Sequence, residues 1–305
     1  MDGIIPLYKP RGMTSFDCVA KVRGILHQKK VGHSGTLDPN VEGVLPICVG
    51  KATKVVNFLM EAGKTYEGSV TFGFATTTED LDGEVVEEQK LQAPFTHAEL
   101  DQAILKLTGE ITQIPPMYSA IKIKGKKLYE YAREGIEIER PKRRITIYRF
   151  DRIGMATFNR EAGTQTINFR VQCSKGTYIR TLAVDLGKRL GVPAVMSKLV
   201  RTSSGGFKLS DTVTFEQLET AAQTKTLETL IHPLDTALNN FPQFDLTDEL
   251  WSRVRNGAIL RRSNFDQPRQ AAPVLALRYQ GKVQALYQYD EKRVAYRPLT
   301  MLIRD

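Results

Sequence analysis

Apolar positions along the chain follow two repeats, and the change from one to the other marks its elements. In Lys64–Phe74, KTYEGSVTFGF, they alternate. Tyr66, Val70, Phe72 and Phe74 fall on one face and Glu67, Ser69 and Thr71 on the other, which predicts a half-buried strand with Tyr66 near its start. Thr166–Ser174 alternates in the same way, with Ile167, Phe169, Val171 and Cys173 on one side. The apolar run Val44–Val49 is strand-like. After Lys175-Gly176 the repeat becomes helical. Ile179, Leu182, Ala183, Leu186 and Leu190 follow i, i+3, i+4, i+7, i+11, a single stripe. Two more helices are expected, Phe16–Leu26 and Ala98–Thr108, each preceded by a capping-box pair, Thr14/Asp17 and Thr96/Glu99. In the second, Leu100, Ile104 and Leu107 point inward and Gly109 is the stop. TTTEDLDGE (Thr76–Glu84) reads as a polar turn, and Pro115-Pro116 breaks the chain.

The pattern changes after Pro242. A short helix, about Asp248–Arg255, is followed by three strand-like runs, Val274–Tyr279, Val283–Tyr289 and Arg293–Ile303. They predict a small β-rich appendage, a compact barrel of roughly 60 residues. The preceding part mixes strands and helices without βαβ alternation, so the fold class is α+β with a mixed β-sheet. The expected division is 1–240 and 241–305.

Composition alters this picture little: 41% hydrophobic and 25% charged residues describe an ordinary globular chain. No apolar run approaches the ~20 residues of a membrane span. Met1–Pro6 has no signal-peptide pattern, and a cytoplasmic protein is expected. Cys18, Cys48 and Cys173 are far apart and read as buried hydrophobes in a reducing compartment. The four histidines, His27, His33, His97 and His232, show no metal-ligand spacing.

Charge alters it more. The formal net charge is +9, which favours a polyanionic partner. The excess is concentrated: Ile121–Arg149 holds ten Lys/Arg against four Glu, and residues from Phe241 onward hold eleven Lys/Arg against seven Asp/Glu. With Tyr118, Tyr129 and Tyr131 close by, the first segment offers phosphate contacts and stacking faces, which suits RNA better than a membrane. A solvated charged helix is the alternative.

The stretch GHSGTLDPNVEGVLPICVGKATK places Asp38 on a loop bracketed by glycine and proline, with Glu42 as the other nearby acid. Pro39 pushes Asp38 toward extended backbone, and Gly32 and Gly35 permit a sharp loop. Such a loop can present one carboxylate rigidly to a cleft; an Asx-turn or helix-cap aspartate fits equally. Arg180 lies off the apolar stripe in the first turn of its helix. A cation there is mildly unfavourable against the macrodipole, which points to a partner elsewhere.

The same stretch resembles motif II of the TruB-type pseudouridine synthases of bacteria. Other segments resemble the family in order: GIIPLYKPRGMTSFDCVAKVR its N-terminal motif, KTYEGSVTFG the motif with the active-site tyrosine, and QIPPMYSAIKIKGKKLYEYAREGIEIERPKRRI its RNA-gripping insertion. CSKGTYIRTLAVDLG resembles the arginine-bearing motif, and LVRTSSGGF the segment that closes the catalytic domain. The C-terminal piece resembles the family's small PUA-type RNA-binding domain, with weaker motifs. The resemblance implies that Asp38 is the catalytic aspartate, Tyr66 the tyrosine stacking on the target uracil, and Arg180 the partner of the aspartate. It further implies that Leu199 packs by the base, His33 helps take the place of the flipped base, Lys54 contacts the RNA backbone, and Tyr178 binds substrate. Without the family, Tyr66 reads as a core-edge tyrosine, Arg180 as a surface ion pair, and His33 as a loop histidine satisfied by backbone.

The implied reaction isomerises the T-loop uridine of tRNA, U55, to pseudouridine. It is redox-neutral and non-hydrolytic, so no cofactor is expected, and no G-x-G-x-x-G after a strand and no G-x-x-x-x-G-K-[ST] occurs. Arg180 is expected to lower the pKa of Asp38. The expected partner is the T-stem-loop of tRNA, with no obligatory protein partner and a monomeric chain. Two alternatives are a non-catalytic tRNA-binding or folding module and a guide-RNA-dependent synthase.

Overall fold

The structure, a computed structural model, describes residues 1–265 and 272–303. Its larger sheet has nine strands among the described residues, seven of them in the order Gly3–Lys9, Glu42–Val49, Ala194–Ser204, Lys64–Phe72, Thr164–Cys173, Arg143–Asn159, Gly109–Gln113. Val31–His33 and Phe207–Lys208 branch from it. Ala194–Ser204 meets Glu42–Val49 in parallel, while the other pairs are antiparallel. At the parallel joint Arg201 stands opposite Gly43 on one side and Tyr66 on the other. A Cβ at Gly43 would lie 2.2 Å from the Arg201 carbonyl oxygen, and φ there is +118°, so only glycine lets these strands meet. The loop carrying Asp38 thus enters the sheet beside Tyr66.

The alternating runs form the expected strands, and their inward residues make the core. Val70, Phe72, Ile167, Phe169, Val171 and Cys173 pack with Leu182, Ala183 and Leu186 of the helix Ile179–Leu190 and with Leu100, Ala103 and Ile104 of the helix His97–Leu105. A second core sets the helix Ser15–Leu26 against Ile5, Leu7, Leu45 and Ile47. Both capping boxes form as expected, Thr14 with Asp17 and Thr96 with Glu99.

Several expectations are corrected. The strand starting at Lys64 stops at Phe72; Phe74–Thr76 turns away to pair with Val85–Glu88. The second helix ends at Leu105, and Gly109 starts a strand. The basic segment Ile121–Arg149 is not one insertion. Lys122–Ile123 and Lys126–Lys127 form a hairpin and Leu128–Arg133 a helix, whereas Arg143 onward belongs to the large sheet.

Beyond Pro242 a five-stranded sheet runs Gln243–Asp245, Val274–Tyr279, Lys282–Asp290, Ala295–Met301, Leu260–Arg261. Its two end strands are not paired with each other among the described residues, so the sheet is open where a compact barrel was expected. It has its own core around Leu275, Leu277, Tyr287 and Tyr296, which the Asp248–Val254 helix joins through Val254. Its opposite side shares a core with the first sheet: Ala276, Val283, Leu286 and Leu302 pack with Ile4, Val44, Cys48 and Leu59. No helix among the described residues is long and apolar enough to cross a membrane.

Candidate active site

Two pinned segments build the wall that carries Asp38. The buried Lys9 ammonium donates to the carbonyls of Pro10, Pro39 and Val41 at 3.0, 3.0 and 2.7 Å. The Ser15 hydroxyl accepts from the Leu37 amide at 2.8 Å. From the other side Asn40 donates to both carboxylate oxygens of Asp82, at 2.8 and 2.9 Å. The loop is therefore fixed on both flanks of Asp38. Gly35, at φ +99°, supplies the bend, whereas Gly32 is paired in the strand Val31–His33.

Asp38, Tyr66, Tyr178, Arg180, Leu199 and Arg201 converge on one cavity of about 800 Å³. Arg180 is only 5% exposed despite its off-stripe position. Its Nε lies 3.0 Å from Asp38 Oδ2 and 3.7 Å from Asp80 Oδ2. Its Nη1 and Nη2 donate to the carbonyls of Thr78 and Tyr118, both at 2.9 Å. Asp38 is accordingly neither an Asx-turn nor a helix cap, and Arg180 is not a surface pair. Nor is Asp38 a lone acid, because the polar turn at 76–84 brings Asp80 to the same guanidinium.

The expected lowering of the Asp38 pKa is corrected. Burial raises it, Arg180 opposes that rise, and the like charge of Asp80 adds to it. The side chain keeps 42% of its accessible surface, which opens into the cavity, yet burial is the largest influence and outweighs the ion pair.

Tyr66 is buried on the strand Lys64–Phe72, and burial raises its pKa while Arg201, against its hydroxyl, opposes the rise. Arg201 is fully buried and donates to the carbonyls of Val44, Gly35 and Thr36 at 2.8, 3.2 and 3.3 Å. It ties the start of the Asp38 loop to the sheet. Burial pushes the nearby Lys64 ammonium down to about 8. Tyr178 caps the helix Ile179–Leu190 and is held by Gln113, which donates to its carbonyl and accepts from its amide at 3.0 and 2.8 Å. Tyr129 and Arg133 of the basic segment reach the cavity wall, with the Arg133 guanidinium over the Tyr129 ring.

Two expected site residues are not among those lining the cavity. His33 is half-buried on its short strand, and burial lowers its pKa. Lys54 is exposed and donates to the Met301 carbonyl at 2.6 Å, at the seam between the two sheets. Sequence reasoning missed Lys9, Asp80 and Arg201. Arg201 left a signal: it follows Leu199 by two residues, on the same face of a strand. Lys9 and Asp80 left none, since their partners are distant in the chain. Among the described residues no group of His, Cys, Asp and Glu is placed to hold a metal ion.

The model of the TruB family pseudouridylate synthase N-terminal domain matches residues 23–179, more than half of the chain. The chain belongs to the TruB family. The model of the tRNA pseudouridylate synthase B C-terminal domain follows directly, at residues 180–239. The boundary between the two models falls between Ile179 and Arg180, both on the cavity wall, and one sheet carries both matched parts. The chain is 58% identical over 301 residues to the tRNA pseudouridine synthase B of Levilactobacillus brevis, with 99% of each chain covered. It is 50% identical over 307 residues to the protein of that name from Bacillus pumilus, covering 100% of this chain and 99% of the relative. Among solved structures, a chain of a Cbf5-Nop10-Gar1 complex superposes with a TM-score of 0.72 at 26% identity, over 99% of this chain and 85% of that one. A chain of an H/ACA RNP bound to a substrate RNA containing 2'-deoxyuridine shares the fold, with a TM-score of 0.71 at 24% identity over 99% and 85%.

Proposed function

We propose that the protein isomerises U55 in the T-loop of tRNA to pseudouridine, with Asp38 as the catalytic carboxylate. The observation that carries this reading is the Asp38–Arg180 pair at 3.0 Å, on the wall of a cavity that Tyr66 also lines. TruB relatives at 50–58% identity named tRNA pseudouridine synthase B support the substrate.

The reaction breaks the N1–C1′ bond, turns the uracil and joins C5 to C1′; C5 loses a proton and N1 gains one. Cleavage builds positive charge on the ribose and negative charge on the uracil. An ionised Asp38 serves as a base at C2′ or as a nucleophile at C1′ or on the uracil. Glycoside hydrolysis needs a second carboxylate to deliver water. Here water must be kept out, and Asp80 is held by Arg180 and Thr78. The Tyr66 ring offers a stacking face worth about 1–3 kcal/mol, comparable to the cost of swinging a base out of its stack. Leu199 and Tyr178 complete the base pocket. In this reading His33, which hydrogen-bonds the backbone at Gly35 outside the cavity lining, helps to take the place of the extruded base. Lys54, with three donors on one ammonium, has capacity for a phosphate besides Met301.

Residues 1–240 form the catalytic domain in this reading, and 241–305 a PUA-type domain that grips RNA together with the basic hairpin. The enzyme works as a monomer, without cofactor or protein partner. Asp38→Asn should abolish pseudouridine formation on a T-arm hairpin while the hairpin still binds. Near-wild-type turnover would refute the assignment of Asp38, and a product mapped away from U55 on full-length tRNA would refute the substrate position.

The likeness to a Cbf5 chain favours a second reading, a guide-RNA-dependent synthase. Turnover of a bare T-stem-loop without guide RNA rejects it. Binding without product would instead mark a non-catalytic RNA-binding module.

A further inference from the structure

Three consecutive residues of the turn at 76–84 hold two consecutive residues of the helix Ile179–Leu190. The Thr78 carbonyl accepts from Arg180 Nη1 at 2.9 Å, and Asp80 Oδ2 lies 3.7 Å from Arg180 Nε. Between them Glu79 points its carboxylate at the next helical residue, accepting from Thr181 Oγ1 at 2.7 Å. To do so Glu79 adopts φ +65°, a backbone conformation that side-chain-bearing residues rarely take. Strain of this kind persists where the surroundings over-determine it, and it gathers at functional sites. Here the Glu79 carbonyl accepts from the Met196 amide at 3.1 Å, and Asp80 bridges to Met196, so the turn is pinned to the large sheet on its other side. A carboxylate at the N-terminal turn of a helix also suits the macrodipole, offsetting the unfavourable placement of Arg180.

We propose that Glu79 is a positioning residue: through Thr181 it clamps the 78–80 turn onto the helix and so keeps the Arg180 guanidinium on Asp38. The proposal rests on the reading of Asp38 as the catalytic carboxylate. Arg180 has its remaining anchor at the Tyr118 carbonyl, at the root of the basic segment. Without Glu79 the turn keeps its backbone hold on the sheet at Met196 but loses its side-chain bond to the helix, so the seating of the Arg180 guanidinium between Thr78 and Asp38 loosens. The charged groups around Glu79 are Arg180, Arg140 and Asp185, and those around Asp38 are Arg180, Asp80 and Lys9. Of these, Arg180 alone is common to both carboxylates and lowers the pKa of each.

The test is single-turnover and steady-state kinetics on a T-arm hairpin, with wild type and Asp38→Asn beside the variants. Glu79→Ala should lower kcat by about 10- to 100-fold, as a misplaced supporting group does, and leave KM within about twofold. The acidic limb of its pH profile should move to higher pH, because an Asp38 less firmly paired with Arg180 holds its proton longer. Glu79→Gln should retain most of the activity, since its amide oxygen still accepts the Thr181 hydroxyl. Thr181→Val, which keeps the side chain's shape, should reproduce Glu79→Ala, and it carries the test if Glu79→Ala does not fold. The double variant should be no worse than either single one. Full activity in both Glu79→Ala and Thr181→Val, or a lower melting temperature with an unmoved pH profile, would overturn the proposal. An inactive wild type, or an active Asp38→Asn, would instead sink the reading on which it rests.

Discussion

Asp38 is pulled in opposite directions by its neighbours. Burial and the charge of Asp80 favour the protonated acid, and Arg180 favours the carboxylate, with burial the largest influence. The folded pKa therefore lies above the ordinary 3.8. A raised carboxyl pKa means that the folded protein holds the proton more tightly than the unfolded chain. Asp38 accordingly costs stability once pH has risen past its folded pKa, and the cost is absent below 3.8. The cost comes from burying the carboxylate, and the pair with Arg180 reduces it without cancelling it. If the ionised form is the reactive one, activity is lost as pH falls through that raised pKa. Asp80→Asn removes the like charge, so the acidic limb of kcat/KM should move to lower pH. Thr78 can still donate to the amide oxygen of Asn, which limits any rearrangement of the turn. A profile that stays in place or moves to higher pH would show that Asp80 acts by aligning Arg180 rather than through its charge.

The helix Ile179–Leu190 delivers Arg180, so its seating on the sheet limits how well the ion pair is aligned. Gly187 lies where the helix crosses the strand Ala194–Ser204. A Cβ there would stand 2.6 Å from both the Ala194 Cβ and the Val192 carbonyl oxygen. Gly187→Ala forces the helix outward, and we expect a loss of about 1–3 kcal/mol in urea unfolding, the usual cost of overpacking, together with reduced kcat. Unchanged stability would mean that the helix shifts freely, and the ion pair with it. The stripe of this helix could be read from the chain because its period is local. Gly187 could not be singled out, because the atoms it avoids lie beyond the end of its own helix, on the connection and the strand that follow. The 17-residue strand Arg143–Asn159 escaped notice for a different reason. Ile145 and Ile147 alternate, but a register shift between Ile147 and Arg149 puts Phe150 rather than residue 149 in the core, and the two-residue period breaks inside a run of charges. Asp38 and Tyr66 stood out through their local motifs. Asp80 did not, because nothing in a polar turn signals a guanidinium about a hundred positions away. The contact distances of the site thus come from tertiary packing, whereas its residue types are visible in the motifs.

The two sheets share a core, and this bears on how the whole molecule unfolds and how it holds RNA. Ala276, Val283 and Leu286 of the C-terminal sheet are fully buried against Ile4, Val44 and Cys48. Lys51 and Lys54 add bonds to the carbonyls of Ile303 and Met301 across the same seam. Neither sheet can leave without exposing the other's apolar face, so a single cooperative transition is expected. Trp251, the one tryptophan of the chain, packs against the C-terminal core and stacks on Tyr279 at 4.9 Å. Its fluorescence should follow the same denaturant curve as far-UV circular dichroism; separated midpoints would mean that the C-terminal sheet melts by itself. On the RNA side, the lysines of the basic hairpin differ in what they have to offer. Lys122 and Lys124 are exposed, whereas Lys126 is paired with Glu134 and lies over the Tyr131 ring. Affinity gained from phosphates comes from released counterions, and each neutralised phosphate on a duplex adds roughly 0.9 to the slope of log K against log salt. A lysine already neutralised by a carboxylate has little charge left to offer a phosphate, and so displaces fewer of the counterions condensed on the RNA. Lys122→Gln and Lys124→Gln should therefore each flatten the salt dependence of T-arm binding by close to that amount, while Lys126→Gln changes it less. Equal effects at all three positions would mean that Glu134 gives up Lys126 when RNA arrives, and no effect at any of them would remove the hairpin from the RNA-binding surface.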